Sequence, residues 1–140
     1  MHVSTLLVID RLPVLGPWSP TELHLPGAFI SLPEIPGVAS FGAFLEVTVD
    51  PRDTVSQQVQ LYAYARPLDD ALRVLDVVDG IFELFDGTIG PVGRIQEPWI
   101  QSQIVWVPSW RVRAPHQLWL EARLNGAPQA ERPVAIVPAV

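Results

Sequence analysis

The chain has 140 residues, 49% of them apolar, with 15 prolines, 9 glycines and no cysteine. This content rules out a disordered chain, a helical bundle, and any disulfide framework, thiolate zinc site or cysteine nucleophile. A formal net charge of −6 disfavours general attraction to nucleic acid or to an anionic membrane surface.

The first apolar run, Val3–Ile9, reads as a short strand. It has no cationic leader and stops at Asp10, so no signal peptide is expected, and no later segment reaches the length of a membrane span. The expected location is the cytoplasm or a virion assembled inside a cell. Residues 11–22 and 33–39 are rich in Pro and Gly and read as loops, with a strand over Leu23–Leu32 between them.

Ser40–Asp50 alternates with period two: Phe41, Ala43, Leu45, Val47 and Val49 point one way, and Phe44, Glu46 and Thr48 the other. Asp50-Pro51-Arg52-Asp53 closes the strand as a turn. Val55–Arg66 repeats the pattern, with Val55, Val59, Leu61, Ala63 and Ala65 on one face and Gln58, Gln60, Tyr62, Tyr64 and Arg66 opposite. Ala63 and Ala65 are also small enough to fit the reverse assignment.

Residues 69–86 hold six acids against one arginine and support two readings. Polar residues at three- and four-residue steps allow a short helix starting near Asp70, whereas Asp79-Gly80 between Val77-Val78 and Ile81-Phe82 signals a hairpin. Gly87-Thr88-Ile89-Gly90-Pro91-Val92-Gly93 reads as a loop, because no lysine follows to make it a phosphate cradle.

A strand is expected over Trp99–Val107. Trp106 shares its parity with Ile100 and Ile104 and is assigned to the core, while Trp110 is left open. Arg111 and Arg113 project together, and with Trp110 they suit a partner anchor. Leu118, Leu120, Ala122 and Leu124 then alternate with Trp119, Glu121 and Arg123, and Asn125-Gly126 supplies a tight turn. The returning strand through Pro133–Val137 carries prolines at 128, 133 and 138, which suits an edge or a bulge.

Seven or eight short strands over residues 1–140 predict one all-β domain, an antiparallel sandwich. Pro26-Gly27-Ala28-Phe29-Ile30-Ser31-Leu32-Pro33 leading to the strand after Ser40, with the hairpin from Leu118 to Val137, resembles an uncharacterised bacterial family of immunoglobulin-like β-sandwich proteins. The likeness covers most of the chain but departs from it at residues 78–98. It implies an immunoglobulin-like fold, tilts 71–78 toward a strand, and carries no known activity.

No metalloprotease, EF-hand, nucleophile-elbow or nucleotide-binding motif is present, and His2, His24 and His116 are scattered. Asp76, Asp79 and Glu83, or Asp50 and Asp53, offer carboxylates for a hard cation but lack the spacing of a calcium loop. The expectation is therefore a non-catalytic domain without cofactor or metal. It would work through protein contacts or self-association, as an adaptor or assembly subunit such as one in a phage particle. The candidate surface is Phe44, Tyr62, Tyr64 and Trp119 on the polar strand faces, with Trp110, Arg111 and Arg113. The alternative is a carbohydrate- or small-ligand-binding sandwich that uses the same exposed rings.

Overall fold

A computed structural model describes residues 1–10, 29–68, 81–90 and 97–139. Within them the chain is all β, without a helix. Eight strands follow in order: β1 (His2–Ile9), β2 (Phe29–Leu32), β3 (Gly37–Val49), β4 (Gln57–Pro67), β5 (Phe82–Ile89), β6 (Trp99–Val112), β7 (His116–Leu124) and β8 (Ala127–Pro138). They form a three-stranded sheet, β1-β3-β6, and a five-stranded sheet, β2-β8-β7-β4-β5.

The period-two faces decide how the sheets meet. Phe41, Ala43, Leu45, Val47 and Val49 of β3 are buried against Val59, Leu61, Ala63 and Ala65 of β4 and Leu118, Leu120 and Ala122 of β7, in one apolar cluster. Each large side chain hidden there contributes about 1.5–3 kcal/mol relative to exposure. Ala63 and Ala65 are fully buried, so the reverse face assignment is wrong. Val55 lies ahead of β4 and is exposed.

At the β3–β4 turn, the Asp53 amide donates to the Asp50 carbonyl at 2.9 Å, and Asp53 Oδ2 accepts from the Asp50 amide at 2.8 Å. Arg52 holds the Asp50 carboxylate down to a pKa of about 2. At the β7–β8 hairpin, Asn125 and Gly126 take φ of 50° and 80°, the positive values that this tight turn requires. Asn125 also ties the tip to β4, since its side-chain oxygen accepts from the Gln58 amide and its own amide donates to the Gln58 carbonyl, each at 2.9 Å.

Several expectations need correction. The helix reading fails over residues 82–86, which lie in β5, as do Gly87, Thr88 and Ile89 of the expected glycine-rich loop. Residues 11–28, the 69–80 part of the ambiguous segment with its 71–78 strand and Asp79-Gly80 turn, and 91–96 lie outside the described residues. The strand order is not wholly antiparallel, because β2 runs parallel to β8 over Phe29–Leu32. Among the described residues, only 135–138 of β8 meet β2, which leaves Pro128 and Pro133 on an edge stretch whose pairing slips beside Pro128. Proline's missing N–H costs least there.

Candidate functional site

The outer face of the five-stranded sheet gathers Gln60, Tyr62, Tyr64 and Arg66 from β4 with Gln117, Trp119, Glu121 and Arg123 from β7. Strand register brings them side by side: Tyr64 stands opposite Trp119, Tyr62 opposite Glu121, and Gln60 opposite Arg123. All project away from the core because their sequence neighbours fill it.

A single chain of contacts links six of these groups, Trp119, Arg66, Tyr64, Glu121, Arg123 and Tyr62. The Arg66 guanidinium lies 4.0 Å from the centroid of the Trp119 ring and 5.4 Å from that of Tyr64. It also donates to the Tyr64 hydroxyl at 3.2 Å. That hydroxyl donates in turn to Glu121 Oε2 at 3.3 Å, and Glu121 Oε1 accepts from Arg123 Nε at 2.7 Å. The Arg123 guanidinium then sits 4.6 Å from the centroid of the Tyr62 ring. Such cation–ring contacts contribute about 0.5–1 kcal/mol each at exposed sites and more where water is excluded.

The electrostatics follow from this packing. Loss of water around the rings, then the hydrogen bond to Glu83, raises the Tyr62 hydroxyl above its usual pKa. Desolvation also raises Tyr64, partly opposed by Arg66. Glu121 is nearly buried, with its two oxygens engaged by Tyr64 and Arg123. The Trp119 indole N–H is buried and finds no acceptor among the described residues.

Tyr62, Tyr64 and Trp119 therefore come together, each partly buried, on the outer surface of the five-stranded sheet. The other candidates do not join them. Phe44 faces away from the core but belongs to the other sheet, where it stands between Leu7 and Ile104 and is only 3% exposed. Ile9, Gly42 and Trp106 continue this second apolar face, so Trp106 is not in the inter-sheet core as parity suggested. Its packing is close: a Cβ on Gly42 would come within 2.6 Å of Ile9 Cγ1 and 3.1 Å of Trp106 Cε3.

Trp110 is buried too, and the partner-anchor reading of this ring is wrong. The register slip between Ala39 and Phe41 places an extra residue of β6 near Pro108 and turns Trp110 inward. It packs on Phe41 and Phe82 at centroid separations of 5.9 and 5.2 Å, and its indole N–H donates to His116 Nε2 at 3.1 Å. His116 Nδ1–H then donates to the Ala114 carbonyl at 2.9 Å, which defines a neutral imidazole. Arg111 and Arg113 are exposed on either side of inward-facing Val112. Arg111 stands opposite Val38 on the three-stranded sheet, whereas the ring network lies on the five-stranded one.

Arg66, Glu121 and Arg123 were missed as members of the surface. Their signal was present: each lies two or four residues along its own strand from Tyr64 or Trp119, and so on the same face. Among the described residues no group of three or more acids or histidines could hold a metal ion. Asp76 and Asp79, two of the candidate ligands, lie outside the described residues, whereas Asp50 and Asp53 hold their turn together.

No protein-family model matches the chain, and no curated protein matches it. Among solved structures, a chain of Pseudomonas fluorescens alkylpurine DNA glycosylase AlkC, bound to DNA containing an abasic site analogue, is similar over 97% of this chain at 14% identity and a TM-score of 0.41. The aligned region spans 30% of the glycosylase chain.

Proposed function

We propose that the protein is a non-catalytic, immunoglobulin-like β-sandwich that works through protein contacts, as an adaptor or an assembly subunit. The fold part of this reading is supported by strand order. In immunoglobulin nomenclature β1-β3-β6 corresponds to A-B-E, and β8-β7-β4-β5 to G-F-C with an added C′ strand.

The functional part rests on one observation: the Tyr62–Tyr64–Trp119 cluster on the outer face of the five-stranded sheet, held in place by Arg66 and Arg123. Tyr, Trp and Arg are the residues that dominate protein interfaces, and fixing them before docking lowers the entropy lost on contact. The carbohydrate alternative is less well supported. A sugar stacks on an open ring face, whereas the Arg66 guanidinium already covers one face of Trp119.

The test is sedimentation of the tagged protein in extracts of its source cells. The wild type should travel within a complex heavier than a dimer of the chain. Tyr64→Ala and Trp119→Ala should release it from that complex while remaining folded. A wild type that never enters such a complex would end the proposal, as would variants that stay in it.

A further inference from the structure

Among the described residues, no strand pairs with the second edge of β6, the outer strand of the three-stranded sheet. Such an edge offers a row of unpaired amide and carbonyl groups, and proteins usually blunt it with charges, prolines, bulges or shortness. Here the run Trp99-Ile100-Gln101-Ser102-Gln103-Ile104-Val105-Trp106-Val107 has no charge, proline or glycine. Its register with β3 is regular, and the one slip lies beyond Val107. Phe82 of β5 packs on Trp110, on the far side of Pro108 from this run. Near the other end Ile100 is 56% exposed.

We propose that this edge is a self-association site. The β6 strand of a second copy pairs with it antiparallel about a two-fold axis at Gln103, which joins the two three-stranded sheets into one. The site is separate from the outer face of the five-stranded sheet and does not depend on that reading.

The residues themselves select a second copy and this register. An antiparallel pair of identical strands is self-complementary by symmetry. Prolines lack the N–H that pairing needs, so Pro98 and Pro108 bound the usable stretch, and its midpoint is Gln103. With the axis there, Ile100 faces Trp106 of the second copy, and Trp99 faces Val107. The exposed isoleucine is thereby covered twice, once at each end. Just beyond the paired stretch, exposed Glu97 of one copy falls opposite Ser109 of the other, two residues short of exposed Arg111, so opposite charges approach each other diagonally at both ends. The whole chain carries a net charge of −6, so a strand without charge is where two copies meet with least repulsion.

Sedimentation velocity of the purified full chain over a concentration series tests this directly. The wild type should dimerise, and Ile100→Lys should raise the dimer dissociation constant about tenfold or more while matching the wild type's melting temperature at concentrations where both are monomeric. Opposed Cα atoms in an antiparallel pair lie about 4.5–5.5 Å apart, within disulfide range. Because the chain has no cysteine, Gln103→Cys should give a single interchain cross-link on mild oxidation. If that variant does not fold, an equal mixture of Ser102→Cys and Ile104→Cys chains, which also face across the axis, should cross-link. Tyr64→Ala and Trp119→Ala should leave the dimer intact. A monomer into the millimolar range would overturn the proposal. So would a dimer that tolerates Ile100→Lys, fails to cross-link through β6, or dissociates in Tyr64→Ala.

Discussion

Trp110 and Trp119 are the same residue type in opposite surroundings. Trp110 is enclosed by Phe41, Phe82 and His116 with its N–H bonded, whereas Trp119 lies partly buried beneath an arginine. Truncating Trp110 removes a core aromatic, so Trp110→Ala should cost about 3–5 kcal/mol in urea unfolding. Trp119→Ala leaves the inter-sheet core unchanged and should cost about 1–2 kcal/mol, the scale of partial ring burial plus one cation–ring contact. Equal losses would mean that the outer face is structural.

His116 supplies a pH test at the same scale. Burial holds its pKa below the ordinary 6.5, and its Nε2 must stay unprotonated to accept from Trp110. Below pH 6.5 the unfolded chain binds a proton that the folded chain refuses. The stability supplied by the neutral ring is therefore complete above that pH and is lost as pH falls through the lowered folded value. The urea midpoint should drop between about pH 7.5 and about pH 5.5, around the ordinary histidine range. His116→Phe should flatten that slope, and an unchanged slope would assign it to other groups.

Among the elements, the β7–β8 hairpin has the clearest local cause. Gly126 holds a φ of +80° with open space where a Cβ would stand, so a side chain there meets only backbone strain. Gly126→Ala should cost about 1–2 kcal/mol, read from thermal or urea unfolding, and should leave the sheet order intact. A neutral substitution would mean that the turn relaxes to another type. This turn was legible from Asn125-Gly126 alone, and the buried faces of β3, β4 and β7 from their strict alternation. β6 was less legible, because Ile100, Ile104 and Trp106 on one parity compete with Trp99, Val105 and Val107 on the other, and both faces are apolar. The slip near Pro108 then inverted the parity just before Trp110. The parallel pairing of β2 with β8 joins residues a hundred positions apart, and no local pattern encodes that.

At the scale of the molecule, the two sheets differ in what their outer faces carry. The three-stranded sheet carries apolar side chains on both faces, with Phe44 and Ile9 buried on the one turned from the core. The five-stranded sheet keeps one dry face and presents a polar, aromatic, arginine-braced one. That second face was legible in part. Tyr62, Tyr64 and Trp119 could be placed on it by parity, but the Arg66–Tyr64–Glu121–Arg123 connection depends on side-chain reach across strands, which spacing does not give. Phe44 shared the outward parity and failed as a candidate because it sits on the other sheet, between Leu7 and Ile104.

The braced rings on the five-stranded sheet are the proposed docking place of another protein. Placing a photoactivatable benzophenone side chain at position 64, and in a control at exposed position 52 on the Asp50 turn, interrogates that surface inside the source cells. A discrete covalent adduct is expected from position 64, lost when Trp119 is also changed to alanine, and none from position 52. Identical adducts from both positions, or none from position 64, would contradict it.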